Sequence, residues 1–188
     1  LLPGGVIFLF YAFVLLAIFP IPENTGIPPI LIAAASGLLR FGGIFIMLYS
    51  LKKEEVSRVI PVVYTSPIFV AIMAMPLLGE SVLYLEWLAI VIVVAGAITI
   101  SLKKSMSGST IWHGKPFIIF FGASLLLAMS EITGKYALNY LSFWNMFSIA
   151  TFGMSGLFIL ISLRPHVIRQ LAGIKNKRIT WSLIVLNE

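Results

Sequence analysis

The apolar residues of this chain are gathered into long blocks, and no other feature restricts its fold so tightly. The blocks cover about residues 1–19, 29–51, 56–78, 83–102, 116–138 and 143–163, and a further one opens at Trp181-Ser182-Leu183-Ile184-Val185-Leu186. A helix needs about 20 residues, at 1.5 Å each, to cross a hydrocarbon core of roughly 30 Å. Of the 188 residues, 60% are hydrophobic and 11% charged, against roughly 25% charged in soluble proteins. Backbone in lipid must satisfy its own N–H and C=O groups, which a helix does within one segment. The alternation that marks a transmembrane β-barrel, in strands of about 10 residues, is absent. The expected fold is therefore all-α: a polytopic integral membrane helical bundle of six full spans plus the start of a seventh. An apolar run is already under way at Leu1 and a new one has just begun where the sequence stops, so it reads as a piece of a longer protein.

The cations set an expected orientation. Loops alternate sides, and those near 20–28, 79–82 and 139–142 carry no Lys or Arg. The opposite loops, 52–58, 103–115 and 164–180, hold 11 of the 13 cations. The positive-inside rule makes that side cytoplasmic. The net charge of +6 thus reads as a topology signal, and nucleic acid is not expected as a partner. With no cysteine, disulfides and thiolate metal sites are excluded within this chain. Trp87, Trp112 and Trp181 stand near span ends, as interfacial anchors do. Trp144 and Asn145, opening the sixth span, read as anchor and cap or as groups that touch a solute. Gly37, Gly42, Gly43, Gly96, Gly122, Gly153 and Gly156 read as close-packing positions between helices.

Function is sought in the polar residues the spans tolerate. Arg40 lies near the middle of the second span. An Arg at mid-bilayer facing lipid costs about 2.5–3.5 kcal/mol on insertion scales, so it should face a cavity or a counter-charge. It either binds an anionic group of a solute or forms a structural ion pair. Glu131 and Lys135 of the fifth span are four residues apart, on one helix face and in the favourable order for a local pair. In that reading Lys135 snorkels toward the cation-free side. In the other, Glu131 is a protonatable group that couples solute movement to protons, since low dielectric disfavours a carboxylate's charge. The third span is interrupted by Pro61, Pro67 and Pro76. Proline removes a helix hydrogen bond and bends the axis, so Tyr64, Thr65 and Ser66 either line a polar gap or flank a structural kink. No nucleophile–base pair, phosphate-binding glycine loop or metal motif stands out, so neither an enzyme activity nor a cofactor is expected.

The third and fourth spans carry a recognisable pattern. Tyr49-Ser50-Leu51-Lys52-Lys53-Glu54-Glu55-Val56-Ser57-Arg58-Val59-Ile60-Pro61 is followed by Ser66-Pro67-Ile68-Phe69, by Leu77-Leu78-Gly79-Glu80, and by Trp87-Leu88 and Ala95-Gly96. This resembles the EamA-like part of the drug/metabolite transporter superfamily, with Pro67, Gly79 and Glu80 as motif residues. Lys135-Tyr136-Ala137-Leu138 is similar to the end of the first helix of that family's second repeat. The resemblance implies ten helices in two inverted repeats, of which this chain holds about helices two to eight. Residues 1–104 would be most of the first repeat and 105–188 the start of the second. It further implies a secondary transporter in the cell membrane that moves small organic metabolites, amino acids or drugs by alternating access, as exporter or exchanger. Arg40, Tyr64, Thr65, Ser66, Glu131 and Lys135 are the cavity candidates, and Glu80 reads as a capping, loop-ordering group. The family's usual orientation places the cation-free side of this chain in the cytoplasm, and the charge count favours the reverse. The rival class is a membrane-embedded enzyme or an assembly scaffold. An enzyme should gather acid, base or metal-binding groups near one interface, and a scaffold should lack intramembrane charges such as Arg40 and Glu131.

Overall fold

The computed structural model describes residues 2–52, 54, 56–63, 65–105 and 114–163. These form helices α1 (Leu2–Ile18), α2 (Ile27–Leu51), α3 (Val56–Val63), α4 (Ser66–Leu78), α5 (Tyr84–Ser105), α6 (Gly114–Ala137) and α7 (Phe143–Ser162). Among the described residues the first six apolar blocks become helices. The breaks have local causes. Helix α1 stops before Pro20 and Pro22, and α2 begins with Pro28 and Pro29 in its first turn, where their missing N–H groups cost nothing. The third block, expected as one kinked span over 56–78, is divided into α3 and α4. Pro67, in the first turn of α4, cannot donate to the preceding turn, and Thr65 takes up a tighter contact in which Ile68 N–H reaches the Thr65 carbonyl at 3.1 Å.

Among the described residues, four helical stretches are long and apolar enough to cross a membrane: Ile27–Leu51, Val59–Leu78 (α3 and α4 together), Ile118–Ala137 and Phe143–Ser162. Two further apolar stretches, Gly5–Ile18 in α1 and Tyr84–Gly96 in α5, are shorter. Of the six full spans expected, four are therefore found at full length among the described residues. The start of a seventh span at Trp181 lies outside the described residues.

The chain divides into two units, Leu1–Leu38 with Ala137–Glu188, and Leu39–Tyr136. In the first, α1 packs along α7, and α7 meets the first half of α2 at backbone distance. A Cβ on Gly37 would stand 1.8 Å from the Ala150 carbonyl oxygen, and one on Gly153 would stand 2.8 Å from that of Ala34. Between membrane helices, which gain nothing from hiding apolar surface from lipid, such close approach supplies the van der Waals contact that holds them. Ala33, Ala137, Leu141 and Ile149 fill the adjoining core. Ser148, Thr151, Ser155 and Ser162 are buried along α7, and each hydroxyl donates to the carbonyl four residues earlier. That return bond hides a polar group inside an apolar interface at little cost in packing. The helix is capped by Ser142, whose Oγ accepts from Asn145 N–H at 3.3 Å, satisfying one of the free first-turn donors.

In the second unit, Val59, Val63, Phe120 and Ala123 form the core, with Ile46, Met47, Leu51, Val62 and Leu127 packed on it. Gly43 is pressed against Leu127, and Phe69 meets the edge of Phe121 with centroids 4.7 Å apart. Of the seven glycines expected at close contacts, Gly37, Gly43 and Gly153 are tightly enclosed, Gly42 makes ordinary contact, and Gly96, Gly122 and Gly156 face open space. Large apolar side chains such as Val91, Ile92 and Val93 of α5 remain exposed, which suits a surface bathed in lipid.

Candidate functional site

Four charged side chains of the second unit form two ion pairs along one helix. Arg40 is placed by α2, thirteen residues after Ile27 and eleven before Leu51, and so stands near mid-span. Its guanidinium donates to Glu131 Oε1 of α6. One turn further along α6, Lys135 Nζ donates to Glu80 Oε2 at 2.7 Å. The local Glu131–Lys135 pair that the spacing suggests is not the one formed, because packing brings a partner to each residue from another helix. Glu80 is delivered by Gly79, whose left-handed φ of 67° ends α4; the Gly79 and Glu80 N–H groups both turn back to the Ala74 carbonyl. This is the glycine-ended helix stop that satisfies orphan carbonyls, and it explains why Gly and Glu are adjacent in the motif. Glu80 thus does more than order the loop: it is one half of an ion pair with α6.

Neither pair is sealed by protein. The side chains of Arg40 and Glu131 are 44% and 55% exposed. Each pair is made through a single nitrogen–oxygen contact rather than a two-pronged fork. The arrangement sets a cation, near the middle of α2, beside an anion of α6.

Thr65 and Ser66 lie at the division between α3 and α4, apart from these charges in their hydrogen bonding. Thr65 Oγ1 donates to the Val62 carbonyl at 2.6 Å and stands 3.3 Å from Ser124 Oγ of α6. With the Thr65 proton already given to Val62, the Ser124 hydroxyl is the donor of that second bond. Ser66, half-buried, opens α4, and Pro67 follows with its ring exposed. Tyr64 lies outside the described residues. Ser124 was not singled out in the sequence: between Ala123 and a run of leucines it carries the signature of a packing residue, and its link to the helix division is visible only in three dimensions. In the first unit, Asn145 is buried and donates to the Pro20 carbonyl at 3.4 Å, while Trp144 stacks on Phe19 with centroids 5.4 Å apart. Among the described residues no group of three or more His, Cys, Asp or Glu side chains is placed to hold a metal ion.

The EamA-like transporter family matches residues 1–102, which is more than half of the chain and includes α1 to α4, most of α5, and both Arg40 and Glu80. No curated protein and no solved structure matches the chain. Members of the matching family are membrane transporters, in keeping with the drug/metabolite transporter superfamily. Apolar helices of spanning length together with this match make the chain a multi-pass membrane protein that belongs to the EamA-like transporter family.

Proposed function

We propose that this protein is a secondary transporter of the cell membrane, moving small organic metabolites, amino acids or drugs by alternating access, as exporter or exchanger. The observation that carries the reading is the Arg40–Glu131 pair: opposite charges on two helices, with Arg40 near the middle of α2, half open to whatever fills the space beside them. Charges at that depth are expensive unless they face water or one another, and a structural tie has no need of the exposure. Arg40 would receive an anionic group of the solute, Glu131 a cationic group or a proton, and Lys135 would act above them. The division at Thr65 and Ser66, with Tyr64 beside it, resembles the interrupted helices around which transporters build mid-membrane sites. In this reading residues 1–104 form most of one inverted repeat and 105–188 begin the second, with loops 52–58, 103–115 and 164–180 in the cytoplasm.

The test is uptake of amino acids and of cationic drugs into proteoliposomes bearing the full-length protein, with and without a pH gradient. Gradient-driven flux abolished by Glu131→Gln is the expected result. Flux that ignores the gradient, with Glu131→Gln fully active, would remove Glu131 from the role of proton-coupling group.

A further inference from the structure

Lys135 has two possible carboxylate partners, and only one is in use. It bonds Glu80, while Glu131 stands four residues earlier on the same helix, about 6 Å along the axis and in the order that favours pairing. Glu131 in turn is held by Arg40 through one oxygen. All four side chains are between 40% and 55% exposed, and half-exposed ion pairs of one contact each are weak enough to exchange. The four charges sum to zero in either arrangement; exchange leaves Arg40 and Glu80 without their partners, and both side chains are exposed enough to be solvated. We propose that Glu80 and Lys135 set the availability of Arg40. While Glu80 holds Lys135, Glu131 holds Arg40. When Glu80 lets go, Lys135 turns to Glu131 and the Arg40 guanidinium is freed for an anionic group of the solute. Glu80 and Lys135 are then positioning residues that act through Glu131. Gly79 fits this role, since the turn it makes ends α4 and sets where Glu80 points; any shift of α4 relative to α6 acts first on the Glu80–Lys135 contact.

That Arg40 meets the solute rests on the proposed transport function; the exchange of partners does not, and it is tested without a solute. The probe is phenylglyoxal, which modifies unpaired guanidinium groups. The rate of its reaction at Arg40 is followed by mass spectrometry of the intact reconstituted protein after digestion, with the other arginines as reference. Glu80→Gln should speed the reaction roughly two- to fivefold, the range that loss of one exposed pair permits. Lys135→Met removes the competitor for Glu131, so its rate should not exceed that of the parent protein, and Glu80→Gln added to it should have no further effect. The exchanged pair Glu80→Lys with Lys135→Glu tests the contact without deleting charge; it leaves no cation at 135 to compete for Glu131, so its rate, like that of Lys135→Met, should not exceed that of the parent. An unchanged or slower rate in Glu80→Gln, or an acceleration that persists when Lys135 is Met, overturns the proposal. Solute flux in Arg40→Gln is a separate readout: if it is unchanged while the labelling pattern holds, the transport role of Arg40 fails and the exchange stands.

Discussion

Arg40 of α2 bonds Glu131 of α6 across 91 residues of sequence, and the two side chains remain about half uncovered. If the space beside them holds water, losing one partner leaves the other solvated. Arg40→Gln and Glu131→Gln should then each lower stability by no more than about 1 kcal/mol, the scale of an exposed pair. Were the space filled by hydrocarbon, the abandoned charge would cost about 3 kcal/mol. Thermal unfolding in detergent-free nanodiscs, compared between single and double variants, distinguishes the two; the small effect is expected.

Gly37 admits no side chain. A Cβ there would lie 1.8 Å from the Ala150 carbonyl oxygen, which belongs to backbone and cannot swing aside. Gly37→Ala should therefore destabilise the first unit by at least the 1–3 kcal/mol typical of an overpacked core, roughly speaking. Gly122→Ala is the control, because nothing lies within 4 Å of its Cβ position and alanine gains about 1 kcal/mol of helix propensity over glycine. The melting temperature should fall in the first variant and hold or rise in the second.

Gly79 differs in kind. Its surroundings are open, so the penalty for a side chain comes from the left-handed backbone alone. Gly79→Ala should cost about 1–2 kcal/mol, and Gly79→Asn less, since Asn tolerates that conformation. A Gly79→Ala variant as stable as the parent would show that the turn after α4 has another form.

Ser142 caps α7 through Asn145 N–H. Ser142→Ala should lose about 1 kcal/mol, and Ser142→Asp should retain most of the stability, as side-chain acceptors at that position do. Equal melting temperatures for Ser142→Ala and the parent would contradict the cap.

Much of this architecture was legible in the sequence, for a physical reason. Hydropathy and helix length report directly on bilayer crossing, so the positions of the helices followed from apolar blocks; the prolines of the third block announced an interruption, but not that it would divide the block into α3 and α4. Arg40 and Glu131 were also legible as residues needing an explanation, because charge at membrane depth is costly. Their partnership was not. Spacing along one helix pointed from Glu131 to Lys135, whereas the partners found, Arg40 and Glu80, come from helices far away in sequence. Glycines showed the same divide: Gly37 and Gly156 look alike in sequence, yet one touches a neighbouring backbone and the other faces open space. Ser124 offered no signal, since a lone serine among small residues is the mark of packing.

Transport through this protein requires the space beside Arg40 and Glu131 to be an aqueous path for solute. This chain contains no cysteine, so a single one can be introduced and followed. Glu131→Cys in the reconstituted full-length protein should react with a membrane-impermeant, charged thiosulfonate, while Ile92→Cys on the exposed apolar face of α5 should not. Reaction at 131, slowed by a transported solute, is the predicted result. A cysteine at 131 as inert as the one at 92, in protein that remains folded, would contradict it.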